Sequence, residues 1–221
     1  KVAAKMLESE KVEFKNGEFT VPNSNKKKTI GEIAFACYLP GTAGEMKSPL
    51  PEGVEPGLSE TSFYDPANFS FPAGSHICEV EIDPETGETK VVSYTAVDDF
   101  GTVINPMVVE GQIHGGIAQG VAQALLEEVV YDADGTPQTT NFADYSIISM
   151  AELPSFDLVP LETATPNNPL GVKGIGESGA VGSTPAVANA VIDGLSHLGI
   201  HHLDVPLSPE RVWEAIRSSA L

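Results

Sequence analysis

Basic residues are scarce in this chain: 12 lysines and arginines stand against 31 aspartates and glutamates, a net charge of −19 over 221 residues. Nucleic acid and anionic membrane surfaces are bound through basic patches, so the balance argues against both as partners. An acidic, solvated surface accounts for the charge without naming a substrate. Cysteine is nearly absent. Cys37 and Cys78 lie in no CxxC pair, so the sequence encodes no zinc or iron–sulfur site. Both are expected as reduced thiols packed in a core, with a disulfide left open. No apolar run approaches the ~18 residues that would span a membrane. No charged-then-apolar leader opens the chain, which begins inside a helical pattern, KVAAKMLESE, without Met. A fragment or processed piece is expected, of cytoplasmic location, with any leader upstream of Lys1 left open. What is present, 41% hydrophobic residues, suffices for a packed core.

Local patterns predict the elements. Residues 2–9 are helix-like, and VEFKNGEFTV turns at Asn16-Gly17 into a tight hairpin. Thr29 to Glu32 spells a capping box that opens the amphipathic helix IGEIAFACYL. Residues 40–75, rich in proline and glycine, read as a long ordered loop. Phe63, Tyr64, Phe69 and Phe71 make it too apolar for disorder. HICEVEI and TKVVSYTAVDD form a second hairpin around DPETGE. Asn105-Pro106 caps a helix running to about Glu128. A strand near Glu128 to Tyr131 follows, then the alternating Phe156 to Glu162, then a polar glycine-rich loop over 163–182. Ser183-Thr184-Pro185 starts another helix, and Ser208-Pro209 the last, with Val212, Trp213 and Ile216 inward. Hairpins alternating with helices, without a βαβ rhythm of parallel strands, predict an α+β fold.

Two segments could carry chemistry. In VEGQIHGGIAQGVAQAL, Gln112, Gly116 and Gln119 share a helix side with Gly115 beside it. Glutamine donates and accepts, and glycine lets a bulky polar group lie against the backbone. The pattern suits a platform for a large heterocycle or phosphate ester; close helix packing through small residues explains it as well. In NNPLGVKGIGESGAVGSTPAVANAV, five glycines bracket Glu177 ahead of a helix start. Backbone N–H groups there can hold an anion or oxo group, and a glutamate among them can accept a proton. Tight turns around an exposed carboxylate are the alternative. The lysine, Lys173, precedes the last glycines and no GK[ST] occurs, so this is no P-loop. The remaining candidates carry less. His114 fits a packed helix histidine, and His76 a structural residue near a strand start. His201 and His202, neighbours in an expected strand, would face opposite ways. Asp98 and Asp99 lack metal-ligand spacing. No nucleophile elbow occurs.

Taken together, the two segments resemble the molybdenum hydroxylases of the xanthine dehydrogenase and aldehyde oxidase superfamily. GQIHGGIAQG stands where that family has its glutamine-bearing helix, and GVKGIGESG where it has its G-x-GE loop. EGVEPGLSETSFYDPANFSFPAGSHICEVEIDPETGE, DDFGTVINPMVVEGQ and SPERVWEAI extend the likeness over nearly the whole chain, toward carbon monoxide dehydrogenase-type large subunits. The resemblance implies that residues 1–221 are the C-terminal part of a molybdopterin-binding domain. Within it, 1–95 would hold helix, hairpin, helix, long loop and strands, and 96–221 would touch the cofactor. It implies that Glu177 is the base beside the metal and that Gln112 hydrogen-bonds the pterin. It places Gly174, Ile175, Gly176 and Asn105 near the cofactor, with no metal ligand from this chain. Gly179 stands where several relatives carry proline, a departure that weakens transfer of substrate identity.

The implied activity is oxidation or hydroxylation of a small substrate with water as oxygen source: carbon monoxide, an aldehyde or an N-heterocycle. The implied cofactors are molybdenum-molybdopterin, in its cytosine dinucleotide form, with 2Fe-2S and FAD on partner subunits or domains. The implied partners are the rest of the large subunit and the iron–sulfur and FAD subunits, in a hetero-oligomer. The chain alone is expected to be inactive. The alternative is a non-catalytic module serving assembly or cofactor binding.

Overall fold

Asn16 and Gly17 turn the chain back as expected, both at positive φ (51° and 80°). They join β1 (Glu13–Lys15) to β2 (Glu18–Thr20), with Lys15 opposite Glu18. β3 (Lys27–Thr29) pairs antiparallel on the other edge of β2. The computed structural model describes residues 1–39 and 50–219. It divides into two units, Lys1–Asp65 and Pro66–Leu221, taken in turn.

In the first unit the capping box forms. Thr29 N–H donates to Glu32 Oε2 at 2.7 Å, and Glu32 N–H donates to Thr29 Oγ1 at 3.3 Å. The Thr29 amide, and after it Lys28, holds the Glu32 carboxyl down at about 2. The capped helix, α2, covers Ile30–Tyr38. The first helix, α1, covers Val2–Met6 and stops short of residue 9. Glu8 there takes a positive φ of 50°, which no α-helix accommodates. Val2 and Ala3 pack with Ile33, Ala36 and Cys37 in a small core. Of the expected long loop, residues 40–49 lie outside the described residues, and 50–72 contain neither helix nor strand. Its aromatics Phe63 and Tyr64 are exposed, as are Phe69 and Phe71 in the second unit.

The second unit is built on β4 (Ala73–Ile82) and β5 (Thr89–Asp99), an antiparallel pair bulged at Glu79/Val80. Helix α3 (Pro106–Leu125) follows, with Asn105 Oδ1 accepting from Val108 N–H at 3.3 Å and Pro106 in the first turn. The chain then returns as β6 (Phe156–Leu161), which pairs with β5 in parallel, Tyr94 opposite Phe156. This corrects the expectation of no parallel pair. A parallel neighbour needs a long crossover, and α3 supplies it. The mixed α+β class stands. The strand expected at Glu128–Tyr131 does not form; only Tyr131 bridges, to Pro137. Val129, Val130 and Tyr131 are exposed, so no core holds them extended. Nor do His201 and His202 lie in a strand.

Helix α4 covers Ser178–Leu195 and so begins five residues before the expected Ser183 cap, with Pro185 inside it. The cause is tertiary. A Cβ built at Gly116 would lie 2.8 Å from Ala180 N, and one at Gly120 would collide with Ser183 Oγ. Backbone meets backbone at this crossing, and the contact holds the early turns of α4 helical. α5 (Pro209–Ser219) follows a 3-10 turn at Ser196–Leu198; it buries Val212, while Trp213 stays partly exposed under Arg217. Ile117, Val121, Val187, Val191, Leu207 and Tyr94 form the centre of the core. No helix among the described residues is long and apolar enough to cross a membrane.

Gly116 and Gly115 should respond oppositely to alanine. Gly116→Ala overpacks the crossing and should destabilise by about 1–3 kcal/mol. At Gly115 a Cβ meets nothing, so Gly115→Ala should be neutral or gain up to about 1 kcal/mol from helix propensity. Urea denaturation of the two variants measures the difference; equal losses would show that the crossing is not the tight contact described.

Candidate functional site

The glycines of α3 fall into two sets. Gly116 and Gly120 are buried in the crossing with α4. Gly111 and Gly115 face open space, on an exposed side shared with Gln112 and Gln119. Gly116 therefore belongs to the packing and not to the polar face on which the helical spacing put it. The two explanations for these glycines both hold, on opposite sides of one helix. Asn105 is spent on the helix cap. His114 is packed, its Nδ1 2.8 Å from Glu110 O and its ring 5.5 Å from Phe156.

The loop before Glu177 is tied down at its start. Gly171 O accepts from Thr102 and Thr165 amides at 3.0 and 3.1 Å, and Lys173 N–H donates to Phe100 O at 2.9 Å. Asn168 clamps Val172 twice, accepting its N–H at 3.1 Å and donating to its carbonyl at 2.9 Å. Asp99, at the end of β5, accepts from the Gly101 and Thr163 amides at 3.0 and 2.9 Å and from Lys173 Nζ at 3.1 Å. Those amides, and then Lys173, hold its carboxyl well below the usual carboxylate range. Ile175 is partly buried against the core, while Gly174 and Gly176 are exposed and a Cβ at either would meet nothing.

Glu177 is the N-cap residue of α4, yet its side chain makes no capping bond. It opens onto a cavity of about 450 Å³ lined also by Gly174, Gly176, Ser178 and Gly182. His76 and Asp98 line the same cavity from β4 and β5. Ser178 Oγ is buried there and finds no hydrogen-bond partner among the described residues. Gln112, Asn105 and Ile175 do not line this cavity. The backbones carrying Gln112 and Glu177 nonetheless approach closely, since a Cβ at Gly179 would lie 2.8 Å from Ile113 O.

The model of the molybdopterin cofactor-binding domain family matches residues 1–154. The chain belongs to that family. Asn105 and Gln112 fall inside the matched span, and Glu177 lies beyond it. The chain is 40% identical to the carbon monoxide dehydrogenase large chain of Hydrogenophaga pseudoflava, over all of this chain and 27% of the relative. Among solved structures, carbon monoxide dehydrogenase from Oligotropha carboxidovorans matches at TM-score 0.86 and 36% identity, over 99% of this chain and 26% of that one. Quinoline 2-oxidoreductase from Pseudomonas putida 86 matches at 0.87 and 39%, over 98% and 27%. The chain thus spans about a quarter of the length of the relatives it matches. By name these relatives are dehydrogenases and an oxidoreductase.

The residues present fit the cofactor of this family. An unpartnered buried hydroxyl at Ser178, and glycines 174, 176, 111 and 115 open on their Cβ sides, leave donors and room beside bare backbone. Among the described residues no group of three His, Cys, Asp or Glu is placed to hold a metal ion. Cys78 is no candidate nucleophile, its thiol pushed up to about 11 by burial and then by Glu79; both cysteines are free.

Sequence reasoning set His76 down as structural, found no metal-ligand spacing at Asp98 and did not single out Tyr94; the three meet inside the unit. His76 Nδ1 lies 2.8 Å from Tyr94 Oη, and Nε2 lies 3.3 and 3.4 Å from the Asp98 oxygens. The signal was the strand register. His76 stands opposite Ala96, so Tyr94 and Asp98 are its two diagonal neighbours, and the small Ala96 leaves space for the ring.

The Asp99–Lys173 tie gives a pH prediction. The folded-state pKa of Asp99 lies below its unfolded value, near ~3.9, so the bonds from the Gly101 and Thr163 amides, and after them the Lys173 tie, contribute stability above that value. The contribution is lost as pH falls from there through the folded value. Asp99→Asn should therefore be less stable than the parent at pH 7, and the gap should narrow below about pH 4. Thermal denaturation of both at pH 7 and pH 3 measures it; a gap that does not narrow in acid would remove the ionised tie.

Proposed function

We propose that this chain forms one wall of a molybdopterin-dependent active site, in an enzyme that oxidises or hydroxylates a small substrate with water as the oxygen source. Residues 96–221 are the part that contacts the cofactor. The bound molybdenum-molybdopterin group, in its cytosine dinucleotide form, supplies the two-electron redox chemistry. The residues of this chain orient it and move a proton.

Glu177 is the general base. The observation that carries this is its position: a carboxylate on the rim of a cavity, on a helix N-terminus, left out of capping its own helix. It accepts the proton from the oxygen that attacks the substrate carbon. Gln112, on the open face of α3, donates to and accepts from the pterin. Gly174, Ile175 and Gly176 present backbone groups on the metal side, and Gly174 and Gly176 also leave the space open. Asn105 acts less directly, by capping the helix that carries Gln112.

The likeness is nearly equal toward a carbon monoxide dehydrogenase and a quinoline oxidoreductase. This chain therefore carries what such enzymes share, and discrimination among carbon monoxide, aldehydes and N-heterocycles belongs to other segments. The proposal includes the remainder of a large subunit and iron–sulfur and FAD subunits as partners, which carry the electrons away.

In the cofactor-bearing enzyme, Glu177→Gln should keep its molybdenum and lose turnover by about 10²- to 10⁴-fold, the usual contribution of a placed base. Metal analysis beside steady-state kinetics checks it. Undiminished turnover in a molybdenum-replete variant would refute the assignment.

A further inference from the structure

The structure assigns His76 as a positioning residue for Glu177: its ring is the fixed surface against which the first turns of α4 rest. The inference depends on Glu177 being the base.

His76 is buried, its side chain 3% exposed, and both ring nitrogens are engaged. A carboxylate only accepts, so Nε2 donates to Asp98, and in the neutral ring Nδ1 accepts from the Tyr94 hydroxyl. Burial pushes the Tyr94 phenol far above its ordinary value, which keeps it a donor. Tyr94 is wedged in turn by the Phe156 ring, edge-on at 5.6 Å. Asp98 lies so close under Gly74 that a Cβ there would collide with Oδ1. The ring thus cannot swing about either nitrogen without orphaning a buried polar group.

Against this ring lies Gly182. A Cβ built there would sit 2.6 Å from both Cε1 and Nδ1 of His76, so the backbone of α4 rests directly on the imidazole. Gly182 is five residues beyond Glu177. On the other flank Gly179 meets the α3 backbone at Ile113 and Gly116. Between Glu177 and Ser183 the helix is located by two bare-backbone contacts, one to α3 and one to His76, and at its end by the Ser183 hydroxyl, which donates to Gly116 O and bonds the Tyr94 hydroxyl. A side chain at either glycine would lift the turn that carries the carboxylate. A displacement of about 1 Å at a reacting group can cost about 10²-fold in rate.

The test uses Tyr94→Phe, which removes a single oxygen, and Gly182→Ala, alone and with His76→Asn, all in the cofactor-bearing enzyme that contains this chain. In Tyr94→Phe, hydrogen–deuterium exchange at the amides of 178–183 should rise at least fivefold. Its kcat should fall at least tenfold, with KM within twofold and molybdenum content unchanged. Gly182→Ala should lose kcat similarly, and His76→Asn, which shortens the ring, should restore part of it; a general loss of stability would gain nothing from the second change. Unchanged exchange and kcat in Tyr94→Phe overturn the proposal, as does a double variant no better than Gly182→Ala. If exchange rises and kcat holds while Glu177→Gln is inactive, the ring fixes the helix without setting the base, and the proposal also falls. If Glu177→Gln is fully active, the base assignment has failed instead, and exchange alone decides whether the ring locates α4.

Discussion

Close backbone approach between α3 and α4 is the constraint on which the second unit depends. Three glycines carry it, 116 and 120 on one helix and 179 on the other, while a fourth, 182, lies against the imidazole. Each costs up to about 1 kcal/mol of helix propensity relative to alanine. The return is position. A crossing with side chains between the helices would hold them further apart, and the early turns of α4 would lose the contact that keeps them helical. Glu177 is the residue at which that helix begins.

The sheet sets the other boundary of the cavity. Because β6 pairs in parallel with β5, the chain crosses from one end of β5 to the other through α3, and α4, packed on α3, is the helix that lies against the sheet at β4. The end of β5 then serves two purposes through adjacent residues. Asp98 faces inward to His76, and Asp99 faces the loop and holds Lys173. Alternation along a strand makes such a division natural. One carboxylate fixes the floor of the cavity, and the next fixes the approach to the Gly174–Glu177 turn.

What was legible in the sequence is what short-range chemistry decides. Asn16-Gly17, the Thr29/Glu32 box and the Asn105-Pro106 start each depend on two to four adjacent residues, and each forms. The misreadings share a different cause. Ser183-Thr184-Pro185 has the chemistry of a helix start, but packing on α3 begins α4 five residues earlier, and Ser183 and Thr184 donate back to Ala180 O at 3.4 and 3.3 Å. Val129 to Tyr131 has strand propensity, but its side chains are exposed and it meets 136–139 through a single bridge and a few loop hydrogen bonds, short of a strand. The parallel pairing of Phe156–Leu161 is a long-range fact that local alternation cannot carry.

The site divides along the same line. Glu177 and the glutamines of α3 were singled out from spacing, because a glycine-bracketed carboxylate and a glutamine–glycine stripe are local patterns. The His76, Tyr94 and Asp98 network has no pattern of its own, being three common residues spread over two strands. It exists only once His76 is registered against Ala96. A buried polar group left unpaired costs about 1–3 kcal/mol, so the fold holds such a network only if all its members find partners. Here the ring is satisfied at both nitrogens, and it takes the place that an apolar side chain could have filled under Gly182. An aliphatic residue there would offer the helix a similar surface but could turn about its rotamers. An imidazole held at both ends cannot, and rigidity under the turn that carries Glu177 is the property that distinguishes this arrangement from ordinary core packing.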